Sequence, residues 1–212
     1  MKKILLIFLL LGLLGGWVEK TNKKETTEVS SVVLKESEMY FNRGKAKYFS
    51  NDLKGAILDF NKAIELHPKF IGAYIFRGIS KSDLKVYEEA ISDFTKAIKL
   101  DSEFILAYHK RGITKYELKN YKETIADFSE VIERDPNFPF GYFYRGESKY
   151  KLKNYKGAIL DYNKAIESAP NFSLAYYNRG LARYKLNDLD GATSDFKKAN
   201  ELNPELKNPY KD

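Results

Sequence analysis

The chain of 212 residues has no cysteine, so disulfides and thiolate metal ligands are excluded and cohesion must come from packing. It has only two histidines. His67 reads as a solvated residue at a predicted helix end. His109 has neither Cys nor a second His at ligand spacing, which leaves no candidate metal site. Within the predicted helices the glycines stand singly, so no Gly-rich phosphate loop appears there. No apolar run is long enough to span a bilayer: Ile4 to Val18 gives 15 residues, against the roughly 20 that a spanning helix needs. These absences remove the usual supports of catalysis, and the residues predict no enzyme, no catalytic set and no cofactor.

What is present is a period of 34 residues. The pair Arg-Gly recurs at 43/44, 77/78, 111/112, 145/146 and 179/180. Three residues before each Arg stands a tyrosine: Tyr40, Tyr74, Tyr108, Tyr142 and Tyr176. Sixteen after it stands an Asp followed by an aromatic: Asp59-Phe60, Asp93-Phe94, Asp127-Phe128, Asp161-Tyr162 and Asp195-Phe196. Pro68, Pro136, Pro170 and Pro204 close four units, with Ser102 as the exception. A fixed period of this size marks stacked repeats, because one such unit cannot bury its apolar face alone.

Within the first unit Leu53, Ala56, Ile57, Phe60, Ala63 and Ile64 form one stripe of a 3.6-residue helix. Tyr40, Gly44, Ala46 and Tyr48 belong to a helix before it. Asn51, Asp52, Asn120, Asn154 and Asp188 lie between the paired helices and are good capping residues. Each closing Pro stops the second helix, because it lacks an amide hydrogen. The glycine of every Arg-Gly pair falls inside a helix, where it costs roughly 1 kcal/mol against Ala. Five such glycines predict a close approach of the two helices of a unit. The Arg column (Arg43, Arg77, Arg111, Arg145, Arg179) and the Asp column (Asp59, Asp93, Asp127, Asp161, Asp195) never vary. A ligand-reading position would vary with the ligand, so these are read as structural ion pairs within or between units.

Together these columns resemble the tetratricopeptide repeat in its Tyr-x-x-Arg-Gly bacterial variety. The resemblance implies an all-α fold, a right-handed superhelical solenoid of five stacked helix-turn-helix repeats at 37–70, 71–104, 105–138, 139–172 and 173–206. Two columns depart from the common pattern: the Arg column stands where Leu is frequent, and Lys47, Lys81, Lys115, Lys149 and Arg183 stand where Tyr is frequent. In the fifth unit Thr193 and Asn200 replace the Ile of earlier units (57, 91, 125, 159 and 64, 98, 132, 166), as expected of a polar outer face that ends a stack.

The resemblance also implies a non-enzymatic scaffold whose first helices line a concave groove for a protein or peptide. The lining expected here is Phe41, Ile75, Phe76, Ile79, Leu106, His109, Lys110, Ile113, Phe140, Phe143, Tyr144, Tyr177 and Asn178. Its apolar stretch in units two to four predicts a ligand with apolar anchors, an amphipathic helix or an extended segment. The carboxylate clamp that some members use on chaperone tails is absent, for its places hold Phe41, Lys45, Phe76, Leu106 and Lys110. The alternative is a self-associating structural element, a homo-oligomer whose groove is filled by another copy or by the chain's own N-terminal segment.

The ends carry separate signals. Lys2-Lys3 followed by apolar Ile4 to Leu14 predicts that residues 1–18 are a signal peptide or N-terminal membrane anchor. Leu14-Gly15-Gly16-Trp17 is similar to a lipoprotein signal box, but Trp17 replaces the lipid-bearing Cys. The expected location is therefore outside the cytoplasm of a bacterium: periplasmic, secreted or tethered by that segment, the only membrane contact foreseen if it stays uncleaved. Residues 19–36 read as a flexible polar spacer and 207–212 as a C-terminal tail. Net charge is +7, of which residues 1–36 hold +2 (six Lys, four Glu) and the remainder +5. So modest an excess, mixed with acids throughout, predicts no nucleic-acid partner.

Overall fold

The computed structural model describes residues 30–210. The expected signal or anchor (1–18), most of the spacer (19–29) and the last two tail residues lie outside the described residues. Among the described residues there are ten helices and no strand. They are α1 (30–49), α2 (Leu53–Leu66), α3 (Ile71–Asp83), α4 (Tyr87–Leu100) and α5 (Ile105–Glu117). The second half holds α6 (Tyr121–Arg134), α7 (Pro139–Lys151), α8 (Tyr155–Ser168), α9 (Ser173–Lys185) and α10 (Leu189–Leu202). Each successive pair fills one 34-residue repeat, giving the expected all-α repeat fold. The chain divides into two compact units, residues 1–76 and 77–212, with the boundary inside α3.

One boundary differs from expectation. Residues 30–36, assigned to the spacer, are helical and run unbroken into α1. The extension is anchored by Ser37, which is fully buried and donates to the Ala63 carbonyl at 3.1 Å. A polar composition had concealed it.

The turn inside every repeat is built the same way. Asn51, Lys85, Lys119, Lys153 and Asn187 adopt the left-handed conformation, with φ between 62 and 65°. The next residue's amide reaches back five positions to a helix carbonyl, as from Asp52 to Lys47 at 2.9 Å and from Asn154 to Lys149 at 2.9 Å. This is the six-to-one bond of a Schellman helix end. Asp52, Asn154 and Asp188 then cap the following helix, accepting from the amides of Gly55, Gly157 and Gly191. Asn120 holds the same position without a side-chain bond, and Asn51 is the left-handed residue rather than a cap.

The repeated glycine does what its cost in a helix suggested. A methyl at Gly44, Gly78, Gly112, Gly146 or Gly180 would lie 2.6, 2.7, 2.9, 2.9 or 2.8 Å from the ring of Phe60, Phe94, Phe128, Tyr162 or Phe196. That ring belongs to the second helix of the same repeat and is almost wholly buried. The aromatic after each Asp therefore lies directly on the first helix, and only glycine leaves it room. Along the 77–212 unit α5, α7 and α9 lie side by side, and each second helix contacts the next first helix. The Ile columns serve that contact: a methyl on Gly141 would stand 3.0 Å from Ile132, and Ile159 and Ile166 pack on the cluster holding Ala175 and Ala182.

Candidate functional site

The invariant charges form a structural spine. Each Arg grips its Asp with two nitrogens: Arg43–Asp59 at 2.5 and 2.8 Å, Arg77–Asp93 at 2.5 and 2.9 Å. Arg111–Asp127 closes at 2.6 and 3.0 Å, Arg145–Asp161 at 2.7 and 3.0 Å, and Arg179–Asp195 at 2.6 and 2.9 Å. The expected ion pairs are thus within repeats. A second cation, not foreseen, reaches the same carboxylate: Lys47, Lys81, Lys115, Lys149 and Arg183 at 2.7 to 3.0 Å. Their strict 34-residue step was the available signal. The two cations also act on acidity, for Arg43 and then Lys47, by hydrogen bonding, hold the Asp59 carboxyl below its ordinary value against its partial burial.

The arginine fork has a third arm that joins repeats. Nη1 of Arg111, Arg145 and Arg179 donates to Thr95 Oγ1, Ser129 Oγ and Asn163 Oδ1 of the preceding second helix, at 3.1, 3.2 and 2.7 Å. Planar, five-donor geometry is what lets one side chain serve its own repeat and its neighbour, which Lys could not do. In Arg111, Arg145 and Arg179 these charges are consumed by the scaffold and are not offered to a ligand.

The first-helix face differs from the expected groove in one column. Ile75 is 2% exposed and Phe143 is 8% exposed, so neither can line a binding surface. Phe143 is covered by Phe172, with ring centroids 4.8 Å apart, and Phe41 is covered likewise by Phe70 at 4.6 Å. His109 lies edge-on to Phe128 and Phe138 at 5.9 and 5.3 Å. Burial there, followed by the charge of Lys110, pushes the imidazole down to about 4, so it is neutral at ordinary pH. The covering residues Phe70, Phe138 and Phe172 stand two after each closing Pro, and Phe104 keeps the same 34-residue step in sequence. The signal for this column is that same step. At the fifth place it covers Phe41, His109 and Phe143, and of these Phe143 becomes core.

What remains accessible is a narrower strip. In the 77–212 unit Leu106, Phe140 and Leu174, the second place of three successive repeats, are 41, 46 and 43% exposed. Behind them lie half-buried Ile79, Ile113, Lys110, Tyr144, Tyr177 and Asn178. A cavity of about 100 Å³ opens between Ile79, Ser82, Asp83, Lys110 and Ile113. In the 1–76 unit Phe41 and Phe76 are half-buried and meet at 5.6 Å. Glu147 sits mid-strip and accepts hydrogen bonds from the Tyr116 and Tyr162 hydroxyls at 3.1 and 2.6 Å. Burial first, then the charge of Glu147, raises the pKa of both phenols, so they stay donors. This knot ties two repeats together and fixes a carboxylate among apolar neighbours.

A sequence profile of the tetratricopeptide repeat matches residues 37–70, 71–104 and 105–138, another of the same description matches 173–206, and a TPR repeat profile matches 146–187. The chain belongs to the tetratricopeptide repeat family. No relative was found among curated proteins. Among solved structures, the MamA protein is 25% identical, with a TM-score of 0.75 over 80% of this chain and 93% of that one. MamA 41-end from Desulfovibrio magneticus RS-1 is 19% identical, with a TM-score of 0.76 over 80% and 96%. YrrB, described as a TPR protein with an unusual peptide-binding site, is 22% identical, with a TM-score of 0.70 over 78% and 86%. The latter two likenesses establish the fold alone. Tetratricopeptide scaffolds are typically non-catalytic, and the repeats of this chain make it a protein-interaction scaffold. No helix among the described residues is long and apolar enough to cross a membrane.

Proposed function

We propose that the strip bearing Leu106, Phe140 and Leu174 holds an extended or helical segment of a protein partner through apolar anchors. The observation that carries this reading is the recurrence of a large, nearly half-exposed apolar side chain at the same place in three neighbouring repeats. Scattered exposed Leu is ordinary, but an aligned row on one face marks an interface. Lys110, Glu147 and Asn178, which differ from repeat to repeat, supply the polar contacts that select among apolar segments. The described peptide-binding site of YrrB supports peptide recognition by this fold. The reading assigns no catalytic role. It places the protein outside the cytoplasm, in a bacterial envelope assembly, on the support of Lys2-Lys3 and the apolar run after them.

A displayed random-peptide library panned on the full chain tests it. Enriched peptides should carry two or three apolar anchors, and their affinity should fall at least about tenfold in Phe140→Glu or Leu174→Glu, since an anchor residue carries 2 kcal/mol or more. Phe143 is left unchanged in these variants, because it is core. Equal binding by parent and both variants would sink the assignment. Light scattering on the free chain distinguishes the alternative, in which a second copy covers the strip and these substitutions release monomers.

A further inference from the structure

The last repeat ends on a contact that imitates a repeat. In the 1–76 unit Phe76 meets Tyr48 and Phe60 of the preceding repeat, at 6.0 and 5.9 Å. In the 77–212 unit Tyr144 meets Tyr116 and Phe128 in the same way, at 5.9 and 5.1 Å. Both are sixth-place residues of a first helix, resting on the twelfth-place tyrosine and the buried aromatic of the repeat before. The corresponding pair in the fifth repeat is Tyr184 and Phe196, and Tyr210 takes the vacant role. Its ring stacks on Tyr184 at 3.5 Å and 3°, and lies 6.1 Å from Phe196. Tyr210 stands two residues short of the strict step from Asn178, so no periodicity places it there.

The backbone that delivers Tyr210 is itself held. Asn200 Nδ2 donates to the Pro204 carbonyl at 3.1 Å, Leu206 N to the Asn203 carbonyl at 3.0 Å, and Tyr210 N to Asn208 Oδ1 at 2.9 Å. Asn200 is thus more than a polar replacement for Ile, because it anchors the segment that covers the face. Beside it the face is left as an open cavity of about 470 Å³ lined by Thr193, Phe196, Lys197, Asn200, Lys207 and Asn208. Lys197 has a second meaning. It occupies the column of Thr95, Ser129 and Asn163, the acceptors for the third arm of the next repeat's Arg. A cation there refuses the guanidinium that every further repeat of this type would bring.

The complementary face exists on the first repeat. Ala46 is exposed, whereas its counterparts Thr114, Ser148 and Ala182 are buried. The Arg43 side chain is 53% exposed, against 15 to 20% for Arg111, Arg145 and Arg179. A second copy's first repeat therefore has the shape and the donor to stack on a fifth repeat. We propose that segment 204–210, through Tyr210, and Lys197 form a built-in stop that keeps a second copy from adding to this end. Tyr210 fills the aromatic slot, and Lys197 opposes the incoming Arg43. The stop lies on the end face, apart from the strip of Leu106, Phe140 and Leu174, so the two readings fail independently.

Full chains carrying Lys197→Asn, Tyr210→Ala, both, or Tyr210→Phe are compared by sedimentation velocity over a wide concentration series, with helical circular dichroism as the check on folding. An aromatic pair alone accounts for about 2- to 12-fold in an association constant. The double variant should therefore self-associate at least tenfold more tightly than the parent (about 1.4 kcal/mol). Lys197→Asn, a surface change, should move in the same direction by itself, and Tyr210→Phe should match the parent. Adding Ala46→Glu to the double variant should abolish the gain. A double variant that stays helical and associates no more than the parent overturns the proposal, as does a gain that survives Ala46→Glu. Should the double variant lose its helicity, the single Lys197→Asn chain decides, and no gain there also overturns it.

Discussion

Asp127→Asn removes one negative charge from a site that holds three charges. The Asp127 side chain is 3% exposed, and those of Arg111 and Lys115 are 15% exposed each. The carboxylate accepts from Arg111 at 2.6 Å and 3.0 Å and from Lys115 at 2.9 Å. An Asn side chain of equal volume keeps one acceptor, and its amide must point its hydrogens at a cation. Breaking a buried pair from one side costs about 3–5 kcal/mol, because the abandoned charge stays out of water. Two cations are abandoned here, though each keeps some access to solvent, so a loss of about 3 kcal/mol is expected. Urea unfolding followed by helical circular dichroism reads this as a midpoint lowered by about 1–1.5 M, with a slope near 2–3 kcal/mol/M. Asp59→Asn is the internal comparison, since Arg43 is 53% and Lys47 33% exposed and both can turn to water. It should cost markedly less. The combined change Arg111→Met, Lys115→Met and Asp127→Leu should recover most of the loss, because no charge is then left behind. Equal losses for Asp59→Asn and Asp127→Asn would refute the desolvation reasoning.

Two further outcomes follow from the interior. Gly146→Ala places a methyl 2.9 Å from the Tyr162 ring. Overpacking costs about 1–3 kcal/mol and the better helix former returns at most about 1. The thermal midpoint should therefore fall, and a rise would show that the ring can yield. His109 has a folded pKa of about 4, below its ordinary 6.5. The folded state then favours the neutral ring, and the unfolded chain takes up the proton first as pH falls. Stability should drop between about pH 6.5 and pH 4, by roughly 2 kcal/mol once partial contact with solvent is allowed for. His109→Leu should remove that part of the acid sensitivity, seen as a smaller difference in urea midpoint between the two pH values.

Much of this was legible because repetition multiplies each clue. One glycine in a helix is ambiguous, but five in step, each sixteen residues before an aromatic, point to a ring lying on a backbone. The Arg–Asp pairing was legible for the same reason. The groove was less so, because a family's lining places do not say which of them a given chain covers for itself. Phe138 and Phe172 close over His109 and Phe143, and that cover comes from a loop whose aromatic column was not weighed. The start of α1 was hidden by polar composition, since the burial of Ser37 depends on a carbonyl 26 residues away. Tyr210 was hidden by being out of step. Its place is set by the three-dimensional vacancy after α10, which no period can express.

The third arm of the arginine fork has a consequence for how such a chain can change through descent. Arg111, Arg145 and Arg179 are satisfied by a threonine, a serine and an asparagine in turn, so the joint accepts any short acceptor. Copying or deleting a block of 34 codons between these points would leave this arginine joint intact, because each module brings the same donor and meets a tolerant socket. On the proposal above, the module containing Lys197 is the one disfavoured at an internal position, since its socket carries the wrong sign. The joint thereby sets which modules can be exchanged: those with a short acceptor receive the next arginine, and the one with Lys197 opposes it.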